Sequence, residues 1–302
     1  MSSGSRTCDR RSTLMAVALL SAGLTAPRQA GSNPGNRRSG MVNVDGLGVY
    51  YELHGRTLAP GATPIVLLHG GSMTIETAFK QDLVDRFARV RPVIAIKQQG
   101  HGHTGDRPGP MTVDRMVADT AAVLTHLKVA RADLLGHSLG GIIATGMAIR
   151  HSALVRSVTT LGAPYRLDGF LPDIVRMQLD PMIEPPPALI PLLPTEADFA
   201  AWRASYKRGA PDPTAFDATL GRLNTMLAKW PGWTEAELRS VRVPFLVAVG
   251  DSDFVRIEHA VEMARLIPDA RLAILPRTTH MGIVKRSAWL PSMMDALLQP
   301  VV

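Results

Sequence analysis

The chain has 302 residues, 46% of them hydrophobic and 20% charged, with a formal net charge of +7. That balance is too apolar for a disordered chain and too charged for a multi-pass membrane protein. The single cysteine, Cys8, excludes an intramolecular disulfide and a cysteine-based metal cluster. The basic charge is concentrated at one end: residues 1–40 hold six arginines (Arg6, Arg10, Arg11, Arg28, Arg37, Arg38) against Asp9, a net +5, and the rest of the chain carries +2. A nucleic-acid-binding role thereby loses its main support.

Residues 1–40 read as a leader or a disordered segment. Paired Arg10-Arg11 precedes an apolar run over 14–24, the length of a signal-peptide core and too short to span a bilayer. The order Asp9-Arg10-Arg11-Ser12-Thr13-Leu14 resembles a twin-arginine export signal. Export to the periplasm or beyond is the expectation. A cytoplasmic protein whose true start is Met41 is the alternative.

From Met41 onward, short β-rich runs alternate with helical ones, as in an α/β domain. Segments 42–45 and 49–53 flank Gly46-Leu47-Gly48 and predict an antiparallel hairpin. The runs at 65–68, 93–96, 133–135, 157–161, 245–249 and 272–275 are short and almost wholly apolar, the pattern of strands buried on both faces of a parallel sheet. Val113, Met116, Val117, Ala121, Leu124 and Leu127 repeat at helical spacing behind Thr112, a candidate N-cap. Later helices are expected over 257–266 and 288–298.

The rhythm breaks between Pro164 and Glu235. This stretch has no clear strand, eight prolines crowd 164–194, and three of the four tryptophans (Trp202, Trp230, Trp233) lie in its second half. A structureless loop of that length is implausible in a compact domain. The domain plan is therefore a first core segment over 41–163, a helical cap over 164–235 and a second core segment over 236–302.

The chemistry centres on Gly136-His137-Ser138-Leu139-Gly140-Gly141, set between the apolar Asp133-Leu134-Leu135 and the helical Ile142-Ile143-Ala144. G-x-S-x-G between a strand and a helix is the nucleophile-elbow pattern, in which a sharp turn exposes the serine Oγ. A serine hydroxyl needs a base, and the base needs an orienting acid. His280, after the last strand, is the base candidate; Asp251 and Asp253, after the strand at 245–249, are the acid candidates. Ser…Asp…His is the chain order this arrangement calls for, and all three sites follow the C-terminal ends of strands. Two backbone N–H groups should face a developing oxyanion. Leu139 supplies one, and Gly71 of His69-Gly70-Gly71-Ser72 the other. Gly70, His137 and Trp202 are candidates for the substrate-binding wall. His69 and His101-x-His103 read as turn residues, and no metal site is expected.

On His69-Gly70-Gly71, Gln99-Gly100-His101-Gly102-His103-Thr104, the Ser138 elbow, Gly250-Asp251-Ser252-Asp253 and Thr279-His280, the chain resembles α/β-hydrolase fold proteins over residues 42–300. The resemblance implies a mostly parallel eight-stranded sheet flanked by helices, a helical cap inserted after the sixth strand, and no cofactor. It selects Asp253, third after Gly250, as the acid. Two departures stand out: Lys97-Gln98-Gln99 replaces the Asp that many relatives carry before the glycine-rich turn, with Gln98 and Gln99 available to remake its hydrogen bonds, and the residues after His280 lack the common acid-and-proline pattern.

A serine nucleophile argues against dehalogenase and epoxide-hydrolase chemistry, which use Asp in this fold. It points to an acyl substrate, and the expected activity is hydrolysis of a small to medium, largely apolar carboxylic ester. Lactone or carbon–carbon (β-diketone) hydrolysis is the neighbouring alternative, and a small-molecule receptor on a hydrolase fold is the alternative from another class. The expected partner is a small ester or lactone, with no nucleic acid, no stable membrane insertion, and a monomeric or homodimeric state.

Overall fold

The computed structural model describes residues 37–180 and 182–300. Among them, eight strands form one sheet: β1 (Arg37–Val44), β2 (Leu47–His54), β3 (Ile65–Leu68), β4 (Val93–Ile96), β5 (Ala132–His137), β6 (Val155–Leu161), β7 (Phe245–Ser252) and β8 (Ala270–Thr279). Their spatial order is β1-β2-β4-β3-β5-β6-β7-β8. The β1–β2 and β2–β4 pairs are antiparallel, and every later neighbour is parallel. The expected hairpin and mostly parallel sheet are both present.

Helices connect and cover these strands. α1 (Ile75–Ala78) and α2 (Gln81–Val90) follow β3, α3 (Val113–His126) follows β4, and α4 (Leu139–Arg150) follows β5. Between β6 and β7 lie α5 (Pro172–Leu179), α6 (Glu196–Gly209), α7 (Phe216–Lys229) and α8 (Glu235–Ser240), with no strand among the described residues. α9 (Ile257–Leu266) joins β7 to β8, and α10 (Leu290–Leu297) closes the fold. No helix of the described residues is long and apolar enough to cross a membrane.

The packing explains the unbroken apolar runs. All four residues of β3 and of β4 are buried, and alternate side chains go to opposite faces. Val66, Leu68, Ile94 and Ile96 pack with residues of α3 and α4; Ile65, Leu67, Val93 and Ala95 pack with α2. With helices on both faces, neither register parity can be polar. Thr112 caps α3 as expected, its side chain accepting from the Arg115 N–H.

The expected leader lies outside the described residues over 1–36, but its last four residues belong to the sheet. Arg37–Gly40 pair with Tyr51–His54, and the Arg37 guanidinium reaches Glu52, which is buried among Tyr50 and His54. The strand therefore begins four residues before Met41. Charged, exposed residues on an edge strand carry no apolar signal from which to predict it.

Several hydrogen bonds tie the insertion to the core. Thr74 Oγ1 and Ser205 Oγ are 2.7 Å apart, Arg222 Nη2 donates to the Gly109 carbonyl at 2.8 Å, and Trp233 Nε1 donates to the Ile142 carbonyl at 3.2 Å. The turn after β4 is remade by glutamines, as its unusual sequence requires. Gln99 donates to Asp106 and accepts from Arg107 Nε, while Gln98 Nε2 donates to Thr120. Arg107 in turn pairs with buried Asp119 on α3.

Candidate active site

Ser138 stands alone between β5 and α4, with φ 51° and ψ −118°. A non-glycine residue in that region stores about 1–3 kcal/mol of strain and persists only where its surroundings fix it. Here the Ser138 N–H donates to the Leu161 carbonyl at 2.9 Å, and its own carbonyl accepts from Gly141 and Ile142 as α4 begins. The turn closes tightly because the neighbouring glycines leave room. A Cβ on Gly136 would stand 2.2 Å from the Gly140 oxygen, and one on Gly140 would stand 2.0 Å from the Leu68 oxygen. The positive end of α4 faces the same place.

His280 follows β8, and Asp253 follows β7. Their side chains meet: Nδ1 of His280 donates to Oδ1 of Asp253 at 2.8 Å, with both residues buried. That bond fixes the ring tautomer and leaves Nε2 as the proton acceptor. Burial alone would raise the Asp253 carboxyl, but the His280 ring and the Val255 N–H outweigh it and hold the group below the usual carboxylate value. Phe254 stacks on the imidazole with centroids 3.9 Å apart, restricting its rotation. Asp251 is elsewhere. It is exposed at the point where the β7–β8 register shifts, and it accepts from the Arg277 and Thr278 N–H groups. Arg277 has φ 50°, so Asp251 braces a bend.

The loop after β3 is held by two buried imidazoles. His69 Nδ1 donates to the Gly70 carbonyl at 2.9 Å, and its Nε2 accepts from the Gln98 N–H. His101 Nε2 accepts from the Ser72 N–H at 3.0 Å, and its Nδ1 donates to the Gln99 carbonyl. Each ring works in one neutral tautomer, and burial favours that form, pushing His69 well below its usual pKa and His101 down to about 4. The peptide of Gly71 is thus gripped on both sides. A methyl added to Gly71 would touch only Leu139 Cδ2, at 3.9 Å, whereas one on Gly70 would meet His137 Nδ1 at 2.9 Å. Close packing therefore belongs to Gly70. Gly71 and Leu139 both line the cavity that Ser138 lines, and Leu139, as the first residue of α4, has no intrahelical acceptor for its N–H.

Gly70, Gly71, His137, Ser138, Leu139, Trp202 and His280 all line one cavity of about 280 Å³. Asp253 lies behind His280 rather than in its wall. His137 also has a structural task, because its Nε2 donates to the His280 carbonyl at 3.0 Å. Burial pushes its pKa down to about 3. Residues of the insertion that the sequence did not mark, among them Phe170, Ile174, Leu220, Leu223 and Leu227, form the opposite wall. Phe254 and Met281 carried one signal, their adjacency to Asp253 and His280. A larger cavity, about 740 Å³, lies between residues 109–114 and α7 and includes none of the expected site residues. His103 belongs to neither cavity: its Nδ1 accepts from the buried Lys97 ammonium, which also pairs with Glu76.

Comparison with known proteins agrees with this architecture. A chain named as a carbamate hydrolase, RutD, from Azorhizobium caulinodans is 30% identical over 242 residues, covering 77% of this chain and 88% of that protein. The 2-hydroxy-6-oxo-6-(2'-aminophenyl)hexa-2,4-dienoic acid hydrolase of Metapseudomonas resinovorans is 25% identical over 259 residues, 81% of this chain and 85% of that one. Among solved structures, the enol-lactonase from Burkholderia xenovorans LB400 superposes with a TM-score of 0.68 at 21% identity, covering 85% of this chain and 99% of that one. The model of the alpha/beta hydrolase family matches residues 65–290, from β3 into α10, and the chain belongs to that family of hydrolases.

Proposed function

We propose that the protein is a serine hydrolase that cleaves a carboxylic ester of a small to medium, largely apolar substrate through an acyl-enzyme. The observation that carries this reading is the buried His280–Asp253 hydrogen bond beside a cavity that His280 shares with Ser138. Ser138 Oγ attacks the acyl carbon, and its proton passes to Nε2 of His280. Asp253 holds the ring and stabilises the imidazolium. The Leu139 and Gly71 N–H groups take the negative charge on the carbonyl oxygen, each such donor contributing about 2.7–4 kcal/mol. The alkoxide leaves with the proton from His280, which then accepts one from water as that water attacks the acyl carbon; the Ser138 Oγ–acyl bond breaks, Oγ takes that proton back from His280, and the acid departs. The insertion acts as a cap whose apolar wall excludes bulk water.

Among the described residues, no Asp, Glu, Lys or Arg lines the cavity. A substrate carboxylate there would lose its hydration without gaining a cation, at a cost of several kcal/mol. This favours neutral esters and lactones over the carbon–carbon alternative, whose named substrate in the Metapseudomonas relative is an acid. The test is hydrolysis of p-nitrophenyl esters, acetate through decanoate, by the full chain beside Ser138→Ala. Turnover that vanishes in the variant is expected. Equal turnover in the two proteins would overturn ester hydrolysis and leave the receptor reading in place.

We also propose twin-arginine export, on the strength of Arg10-Arg11 ahead of the apolar run at 14–24. Cell fractionation of the Arg10→Lys, Arg11→Lys double variant tests it: retention in the cytoplasm is expected, and unchanged distribution would reject it.

A further inference from the structure

The cavity holding Ser138 has a neighbour. A groove of about 530 Å³ runs between α5 and α7 on the outer side of the insertion, with Leu179 and Ala228 among its lining residues. Three residues border both spaces: Gln178 from the last turn of α5, and Leu220 and Asn224 from α7. Leu220 and Asn224 are four residues apart, so they stand one above the other on the same helix face. Gln178 reaches across to them, its Nε2 donating to the Asn224 main-chain carbonyl at 2.9 Å. Side chains from two helices thus form a thin wall, closed by one hydrogen bond, between the cavity and the groove.

We propose that Gln178, Leu220 and Asn224 are specificity-determining residues that set the longest acyl chain the enzyme accepts. This rests on the serine-hydrolase reading above. The cavity, about 280 Å³, must hold the scissile ester and its immediate substituents. An acyl chain that fills it meets the wall, and a longer one must fold back or displace Gln178. Neither Gln178 nor Asn224 is fully buried, and a single neutral hydrogen bond is a weak latch. Leu179, Leu220 and Ala228 offer an aliphatic chain apolar contact once it passes through. The acyl-length limit therefore depends on side-chain bulk at Gln178 rather than on the catalytic wall.

The experiment measures kcat/KM for p-nitrophenyl acetate through dodecanoate with the wild type, Gln178→Ala, Gln178→Leu and Ser138→Ala. In the wild type, kcat/KM should fall at least tenfold from the preferred length to the chain four carbons longer. In Gln178→Ala, the ratio of long-chain to short-chain kcat/KM should rise about two- to fourfold for each methylene that enters the groove. Gln178→Leu keeps the bulk without the hydrogen bond and should retain the wild-type limit, which separates steric closure from loosening of α5. A profile unmoved in Gln178→Ala, while short esters are still turned over, would overturn the partition alone. A shift of equal size in both Gln178 variants would also overturn it, because bulk would then be irrelevant. If no ester is turned over faster by the wild type than by Ser138→Ala, the underlying hydrolase reading fails instead. Melting temperatures of the variants confirm folding.

Discussion

The two walls of the cavity are built on different principles. The core wall is backbone: a strained serine, two tight turns, and amides whose directions are fixed by His69, His101 and the start of α4. The insertion wall is side chain: Trp202, packed edge-on against Phe199, with Ile174, Leu220 and Leu227 around it. A backbone wall demands particular residues, because a Cβ in the wrong place meets main chain that cannot yield. A side-chain wall demands only apolar volume and tolerates exchange. Reaction type should therefore reside in the first and substrate choice in the second.

The largest expected effect breaks the core wall chemically. Asp253→Asn should lower kcat by about 10⁴-fold with little change in KM, because the ring at 280 loses its oriented tautomer. Steady-state kinetics on the preferred ester read this directly. Next, Gly140→Ala should destabilise the fold by about 3 kcal/mol, since its methyl would meet main-chain oxygen. Gly71→Ala, whose methyl would make only an ordinary contact with Leu139 Cδ2, should change stability by less than about 0.5 kcal/mol. Urea unfolding of the two variants compares them, and equal losses would dissolve the distinction between the two glycine positions.

Acid should destabilise the fold in a defined window. Burial lowers His101, His137 and His259 to about 4, 3 and 4 from an ordinary value of 6.5. The unfolded chain therefore takes up protons first as pH falls. The stability conferred by these neutral rings is complete above pH 6.5 and is lost as pH drops through the native values, at about 1.4 kcal/mol per pH unit per histidine. Urea midpoints between pH 7.5 and 4.5 should show this slope, and His101→Asn should flatten it. The smallest effect lies on the other wall. Trp202→Ala should raise KM about tenfold while kcat changes less than threefold, and a kcat loss exceeding the KM change would place Trp202 with the chemistry.

Legibility in the sequence follows the same division. β3, β4 and α9 have the bounds their apolar patterns predict, because buried parallel strands and an amphipathic helix leave strong periodic signals. The tight turn at Ser138 was legible because the glycines around it are the only residues that fit, and the meeting of His280 with Asp253 beside the cavity that Ser138 lines follows the expected chain order. α2 is absent from the expected elements although Leu83, Val84, Phe87 and Ala88 mark its buried face. β8 extends beyond 272–275 to Ala270–Thr279, because an edge strand is exposed along much of its length and loses the apolar signature. The insertion residues facing the cavity were invisible for a different reason. Apolar side chains in a Pro-rich helical segment look alike whether they fill its own core or line a site.

Ser138 also sets the protein against itself. Its backbone lies where glycine would rest comfortably and serine does not, so the residue best suited to the fold is one that cannot do the chemistry. Selection for stability alone would favour glycine here, so a serine at this conformationally unfavourable position is what the proposed nucleophilic role would require. A lineage released from that activity should therefore drift toward glycine at position 138 and gain thermal tolerance as it falls silent.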